Sequence, residues 1–341
     1  MAFSLNGVVQ LVSRAPTALF PIALGLAGLG AGLRASEGVF GVPAIGIVGA
    51  GLLIAAAIVL TIDTLLYVTK LLRNRAAVEA DLSIAARANL LAPGFMAGVL
   101  IASALASVSP LGGPLWVVVT LGHLVLLIQF VGRWLTRDYA PTDLTPTWFL
   151  PAAGIMTSAL SWPGYGPVAL PAFTLATGAT LWMMLLPPVF RRLVFEPAIA
   201  PAMRPSLFIV AAPFGLLANS LLTLVPSINP IVPAALACGG LFFIIVLLSQ
   251  SRFLSAAGVS LGWWATTFPV ATVATAFLRT SSALGEPALY TGSALLALAC
   301  VTTALATVAT VQTAWRSCFG QIDAMRDELA AIQGIEEQQK A

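Results

Sequence analysis

Apolar runs of bilayer-spanning length, separated by short polar joints, recur along the chain from residue 16 to residue 315. A helix needs about 20 mostly apolar residues to cross the hydrocarbon core. Ten segments are read as spans: 16–34, 43–69, 90–108, 114–136, 146–162, 167–190, 206–225, 230–251, 258–279 and 287–315. Two patterns alternate within them. Each odd span carries a proline in or near its interior: Pro21, Pro93, Pro151, Pro213 and Pro269, separated by 72, 58, 62 and 56 residues. Each even span starts with one: Pro43, Pro114, Pro171, Pro233 and Pro287, which follow the odd-span prolines by 22, 21, 20, 20 and 18 residues. Proline suits a first helical turn, where its missing N–H has no partner anyway, and bends a helix from the inside. The pattern predicts five hairpins, each of one proline-kinked and one straight helix.

The odd spans are rich in small and hydroxylated residues: Ser103, Ser107, Thr157, Ser158, Ser161, Asn219, Ser220, Thr223, Thr266, Thr267, Thr272 and Thr275. Their interiors are read as uncharged. The even spans hold unbroken aliphatic runs, such as residues 124–128. Bulky aliphatics suit lipid and small polar groups suit a lumen. The expected fold is an all-α integral membrane protein, ten transmembrane helices in a quasi-fivefold ring, the odd helices inside around a central pore.

Composition agrees: 59% of residues are hydrophobic and 9% charged, against about 25% charged in ordinary soluble domains. No polar stretch is long enough for a soluble domain. The organisation read is a short N-terminal segment over 1–13, a transmembrane domain over 14–316 and a polar tail over 317–341 that forms a short helix. No basic stretch precedes the first apolar run, so that run is read as a retained span. Charge placement sets the orientation. Of the 16 Lys and Arg residues, only Arg34 and Arg279 fall in joints that follow odd spans; the other fourteen lie in the termini and the joints after even spans. The positive-inside rule puts both termini and those joints in the cytoplasm, in the inner (plasma) membrane. Cys238, Cys300 and Cys318 form neither a disulfide framework nor a metal spacing. No metal or cofactor is expected, and without basic patches interleaved with aromatics neither is nucleic acid.

The ninth span concentrates the candidate chemistry. Phe268 directly precedes Pro269 in a segment that reads Trp263-Trp264-Ala265-Thr266-Thr267-Phe268-Pro269. A bend there, facing a water-filled lumen, would aim the ring into the pore as a gate. Phe20 stands in the same relation to Pro21, and the equivalents elsewhere are Ala92, Leu150 and Ala212. With Thr267 and Thr272 these are the expected pore-lining residues, and an apolar constriction can close by excluding water. Asp63 is the one acid deep in a span, two turns before Lys70. It reads either as an interfacial or paired structural acid or as a proton site. His123, the one histidine, reads as packed and hydrogen-bonded, or as a second proton site. Gly28, Gly30 and Gly32 lie in a membrane helix and read as packing residues, not a nucleotide loop. No nucleophile–base pair or metal cluster appears, so no catalytic residue is expected.

The ninth-span string resembles the corresponding helix of the plant guard-cell slow anion channels. Arg14-Ala15-Pro16-Thr17-Ala18-Leu19-Phe20-Pro21, Leu150-Pro151-Ala152-Ala153-Gly154 and Arg204-Pro205-Ser206-Leu207 extend the likeness. Residues 14–315 as a whole resemble the wider tellurite-resistance/dicarboxylate transporter family. That resemblance implies ten helices in five hairpins, commonly assembled as a homotrimer in the lipid bilayer. It also implies a pore in each subunit occluded by a phenylalanine, here Phe268. Control through long phosphorylated tails is not expected, since only about 13 residues precede the first span. The function expected is an anion channel for small inorganic or organic anions, choosing monovalent ions by dehydration cost. The alternative is a proton-coupled C4-dicarboxylate transporter or a tellurite-resistance exporter. A carrier of dianions should present fixed cations at a midplane site, and none is expected deep in a span.

Overall fold

The computed structural model describes residues 17–258 and 260–340, with side chains as far as Trp315. The segment 1–13 and the residues Arg14 to Pro16 lie outside them. The described residues contain no strand, and nine of their helices are long and apolar enough to cross a membrane. In chain order the helices are α1 (Phe20–Phe40), α2 (Pro43–Arg73), α3 (Ala92–Ala106), α4 (Gly112–Thr136), α5 (Met156–Leu160), α6 (Ala169–Phe195), α7 (Ala212–Leu224), α8 (Ile231–Ser249), α9 (Trp264–Leu284) and α10 (Glu286–Lys340). The expected short tail helix is continuous with the tenth span, since no proline interrupts the chain after Pro287.

The fifth expected span, 146–162, is not a continuous helix. It runs as a 3-10 turn (Pro146–Trp148), one α turn (Phe149–Ala152), a bend at 153–155 and the short α5. Pro151 removes a donor from its middle. At the bend, a Cβ on Gly154 would collide with the Leu150 carbonyl. Irregular backbone survives at membrane depth only inside protein or beside a water-filled cavity. Accordingly every residue from Thr145 to Ala159 is buried.

The other odd segments share a device that periodicity alone does not reveal. A 3-10 turn precedes each α-helix: Thr17–Leu19, Asn89–Leu91, Pro201–Ala211 and Leu261–Trp263. Pro21, Pro93 and Pro213 are each the second residue of the α-helix that follows. They are therefore not interior kinks, as expected from the sequence, but sit where the backbone changes from 3-10 to α. There the missing N–H costs little. Pro269 alone of the five lies well inside a continuous helix, α9. Thr266 and Thr267 donate to the carbonyls of Trp263 and Trp264 at 2.7 and 2.9 Å, while Thr272 donates to those of Phe268 and Pro269 at 3.1 and 3.0 Å. Such back-bonding hydroxyls themselves bend helices.

Burial separates the two helix sets. The spanning windows containing α1, α3, α7 and α9 are 56–72% buried, and those of the even helices 22–39%. No large exposed hydrophobic residue lies in α1, α3, α5, α7 or α9. Ile54 and Ile58 of α2, Val125 and Ile128 of α4, Met184 of α6, Phe242 of α8 and Leu305 of α10 are exposed, as lipid-facing side chains should be. Each odd element packs on its following even helix. In addition α1 packs on α3, α3 on α5, α5 on α7, α7 on α9, and α9 on α1.

Small residues set how closely these helices approach. A Cβ on Gly49 would lie 2.7 Å from the Gly30 carbonyl, so α1 and α2 touch backbone to backbone. Close approach through small residues is the main source of helix association in lipid. Gly49→Val should cost about 1–3 kcal/mol by overpacking and lower the thermal unfolding midpoint of the purified protein. Gly51→Val, where an added Cβ meets nothing within 4 Å, should leave that midpoint nearly unchanged.

Candidate functional site

Two cavities lie end to end among the odd segments. The first, about 360 Å³, is lined from all five: Leu24, Met96, Leu150, Leu216 and Trp264 are representative. Its only charged lining residue is Arg87. The second, about 460 Å³, is again lined from all five odd segments, with Leu53 of α2 added. Its wall carries Ser103, Ser107, Ser161, Thr223, Thr272 and Thr275. Phe268 is the single residue that lines both.

The Phe268 ring is 3% exposed and packs into the core cluster with Leu24, Met96, Leu150 and Leu216. Room for it comes from α1, where a Cβ on Gly28 would collide with the ring. Trp264, one turn earlier, steadies the helix. Its Nε1 donates to Thr310 Oγ1 of α10 at 2.7 Å, and its ring fills the space over Gly25. Ala265 lines the first cavity, and its carbonyl is the one that loses a helical donor to Pro269. A cavity wall is a setting in which that loss is tolerated.

Among the other expected pore-lining residues, Leu150 and Ala212 line the first cavity and Thr272 the second. Phe20, Ala92 and Thr267 line neither. Phe20 is buried against Gly94, edge-on to Tyr67 at 5.9 Å. Ala92 is fully buried, and Thr267 packs over Gly25 while bonding its own helix. The reason is rotational. Successive helical residues point about 100° apart, and in α1 and α3 it is Pro21 and Pro93 that face the cavity. At Phe268–Pro269 and Ala212–Pro213 both residues of the pair reach it.

Several expected lumen hydroxyls instead tie helices together. Thr120 Oγ1 donates to Ser158 Oγ at 3.2 Å, and Ser220 Oγ to the Met156 carbonyl at 3.1 Å. The expectation of uncharged odd-span interiors is corrected too. Because α1 continues to Phe40 and α9 to Leu284, Arg34 and Arg279 lie within helices and line the second cavity.

Neither possible proton site lines either of these two cavities. Asp63 is buried on α2, and its Oδ2 has no hydrogen-bond partner among the described residues. Lys70 pairs instead with Asp81 at 2.6 Å. Two turns of helix separate Asp63 from Lys70 by about 10 Å, whereas the short helix Arg75–Ser83 folds Asp81 back to it. His123 is fully buried and stacked on Phe95, ring centroids 5.7 Å apart. The hydrogen bond expected of it is absent: neither ring nitrogen has a partner among the described residues.

A family model of voltage-dependent anion channels matches residues 14–312. The chain belongs to this family. The match runs from before the first span into the tenth, so the resemblance carried by the ninth-span string extends over nearly all of the membrane domain. No curated protein matches closely enough to narrow the family assignment. Family membership supports anion transport across a membrane.

Phe20→Ala separates packing from lining. It should destabilise the protein by about 3–5 kcal/mol on soluble-protein precedent. Currents per folded channel should stay unchanged. Parallel thermal melts and bilayer recordings check both.

Proposed function

We propose that the protein is an anion channel whose pore runs through each subunit, between the five odd segments, and is closed by Phe268. One observation carries this reading: Phe268 is the single residue shared by two cavities that are otherwise separate. The cycle of contacts among α1, α3, α5, α7 and α9 supports a five-hairpin ring around that axis. The exposed aliphatics on the even helices support its placement in the bilayer, and the family match supports the class of cargo.

In this reading the first cavity opens to the cytoplasm, beside the basic joints that hold Arg87, Arg133, Arg192 and Arg204. Clustered positive charge raises the local anion concentration at the mouth. The apolar wall of the first cavity binds no ion strongly, as conduction requires. The closed ring excludes water, and its movement wets the constriction. The assembly is a homotrimer in the inner membrane, with both termini cytoplasmic.

A second reading has one observation in its favour. Arg34 and Arg279 put two fixed cations in the second cavity, as a coupled carrier of dicarboxylates would need. The two readings differ in stoichiometry: a channel passes current down the anion gradient alone, and a proton-coupled carrier needs the proton gradient.

Phe268→Ala should raise single-channel conductance by about tenfold or more. A 1.4 kcal/mol lowering of the barrier suffices for that factor. Preference for anions over cations should persist, because the basic mouth is unchanged. Recordings from purified protein in planar bilayers check this. A stable variant with unchanged currents would mean that the pathway closes elsewhere.

A further inference from the structure

The geometry points to a discrete anion-binding site in the second cavity, built on Arg279 and shaped for a small planar oxyanion. It rests on the channel reading above only for its role in transport; binding itself requires no conduction.

Arg279 is fixed by one end. Its Nη1 donates to the Asn219 carbonyl at 3.1 Å, to Thr223 Oγ1 at 3.2 Å and to Asn219 Oδ1 at 3.4 Å. Asn219 is itself fixed. It is 2% exposed, and its Nδ2 donates to the carbonyls of Gly215 and Thr272, both at 2.8 Å. Two carbonyl acceptors on that nitrogen leave its Oδ1 turned to the guanidinium. The guanidinium is thus clamped between α7 and α9. Its Nε and Nη2 bond to no protein group among the described residues and are not sealed from solvent. They open on the cavity that Arg279 lines.

That free edge matters. Nε and Nη2 present two parallel N–H donors in one plane, the fork that matches two coplanar oxygens. Arg34 adds a second positive charge to the same wall, and its Nη2 donates to Ser107 Oγ at 3.3 Å. No aspartate or glutamate lines the cavity among the described residues, and neither arginine has an acid within ion-pair distance there. Two cations in a cavity without acidic counter-charge call for an anion from solution. The chemistry recognised is a nitrate or a monocarboxylate group, bound edge-on, in preference to a spherical halide, on whose single atom the two parallel donors would have to converge.

The test is anion-dependent thermal stabilisation of the full-length protein in detergent, which measures binding without transport. Sodium nitrate, sodium formate and sodium chloride are titrated separately at constant ionic strength. Nitrate and formate should half-saturate the shift at lower concentration than chloride. Response to nitrate alone or to formate alone would identify which source of the planar group the site takes, and either supports the site. Arg279→Gln should weaken the nitrate or formate response by at least about tenfold, the scale of a charged hydrogen bond. Arg279→Lys keeps the charge without the fork and should lose the preference over chloride. Arg34→Gln, whose one bond lies at Ser107, should give a smaller loss and keeps the test open if Arg279→Gln does not fold. Phe268→Ala should leave binding in place. Equal responses in wild type and the Arg279 variants, or a chloride response as strong as that to nitrate, would overturn the site. Unchanged currents in a stable Phe268→Ala variant, with binding intact, would place the closure elsewhere and leave this site standing.

Discussion

A proline inside a membrane helix leaves a carbonyl without its donor, and lipid offers no replacement. Among the odd segments the fold meets that constraint five times. In four of the odd segments the α-helix starts late, after a 3-10 turn, with or just ahead of the proline. The fifth, α9, keeps Pro269 inside and turns that stretch towards a cavity. Odd segments with interrupted hydrogen bonding face protein or a cavity, whereas the even helices present bulky aliphatic side chains at the exposed surface. Interior prolines are not confined to the odd set, since α6 carries Pro187 and Pro188. The inside–outside order of the helices therefore follows mainly from side-chain character.

The same constraint explains the separation between the cavities. Small residues let the odd helices approach closely, and Gly28 leaves space for one large ring. Phe268 fills that space between a mostly apolar cavity and a hydroxyl-rich one. The ring touches side chains from several odd elements and bonds to none of them. As the proposed gate it would close the path without a polar latch, since moving it breaks dispersion contacts but no hydrogen bond. Arg279 is the opposite kind of element: a charge held still by Asn219, which is held by two backbone carbonyls.

Much of this was legible in the sequence, and the misses have physical causes. The aliphatic runs marked the less buried spans and the small, hydroxylated residues the more buried ones, because both track exposure. Phe268, the proposed gate, stands out in the sequence because its neighbour is an interior proline in a distinctive string. Phe20, Ala92 and Thr267, expected at the lumen, line neither cavity, because a shift of one residue rotates a side chain by about 100°, and a repeat of prolines fixes position along a helix better than rotation about it. Arg34 and Arg279 were read as joint residues because hydropathy ends a span at its first charge, whereas the helices continue beyond. Asp81 as the partner of Lys70 depends on a short helix folding back, which no pattern within α2 announces. The irregular fifth segment was read as a helix because its apolar composition is that of one.

Accessibility from the two faces of the membrane tests the central claim most directly. Single cysteines at Leu150 and Thr275, in a background lacking Cys238, Cys300 and Cys318, can be exposed to an impermeant thiol reagent on either side of sealed vesicles. The account predicts that Leu150→Cys reacts only from one side and Thr275→Cys only from the other, and that adding Phe268→Ala lets both react from both. Reaction of both cysteines from the same side with Phe268 intact would contradict it.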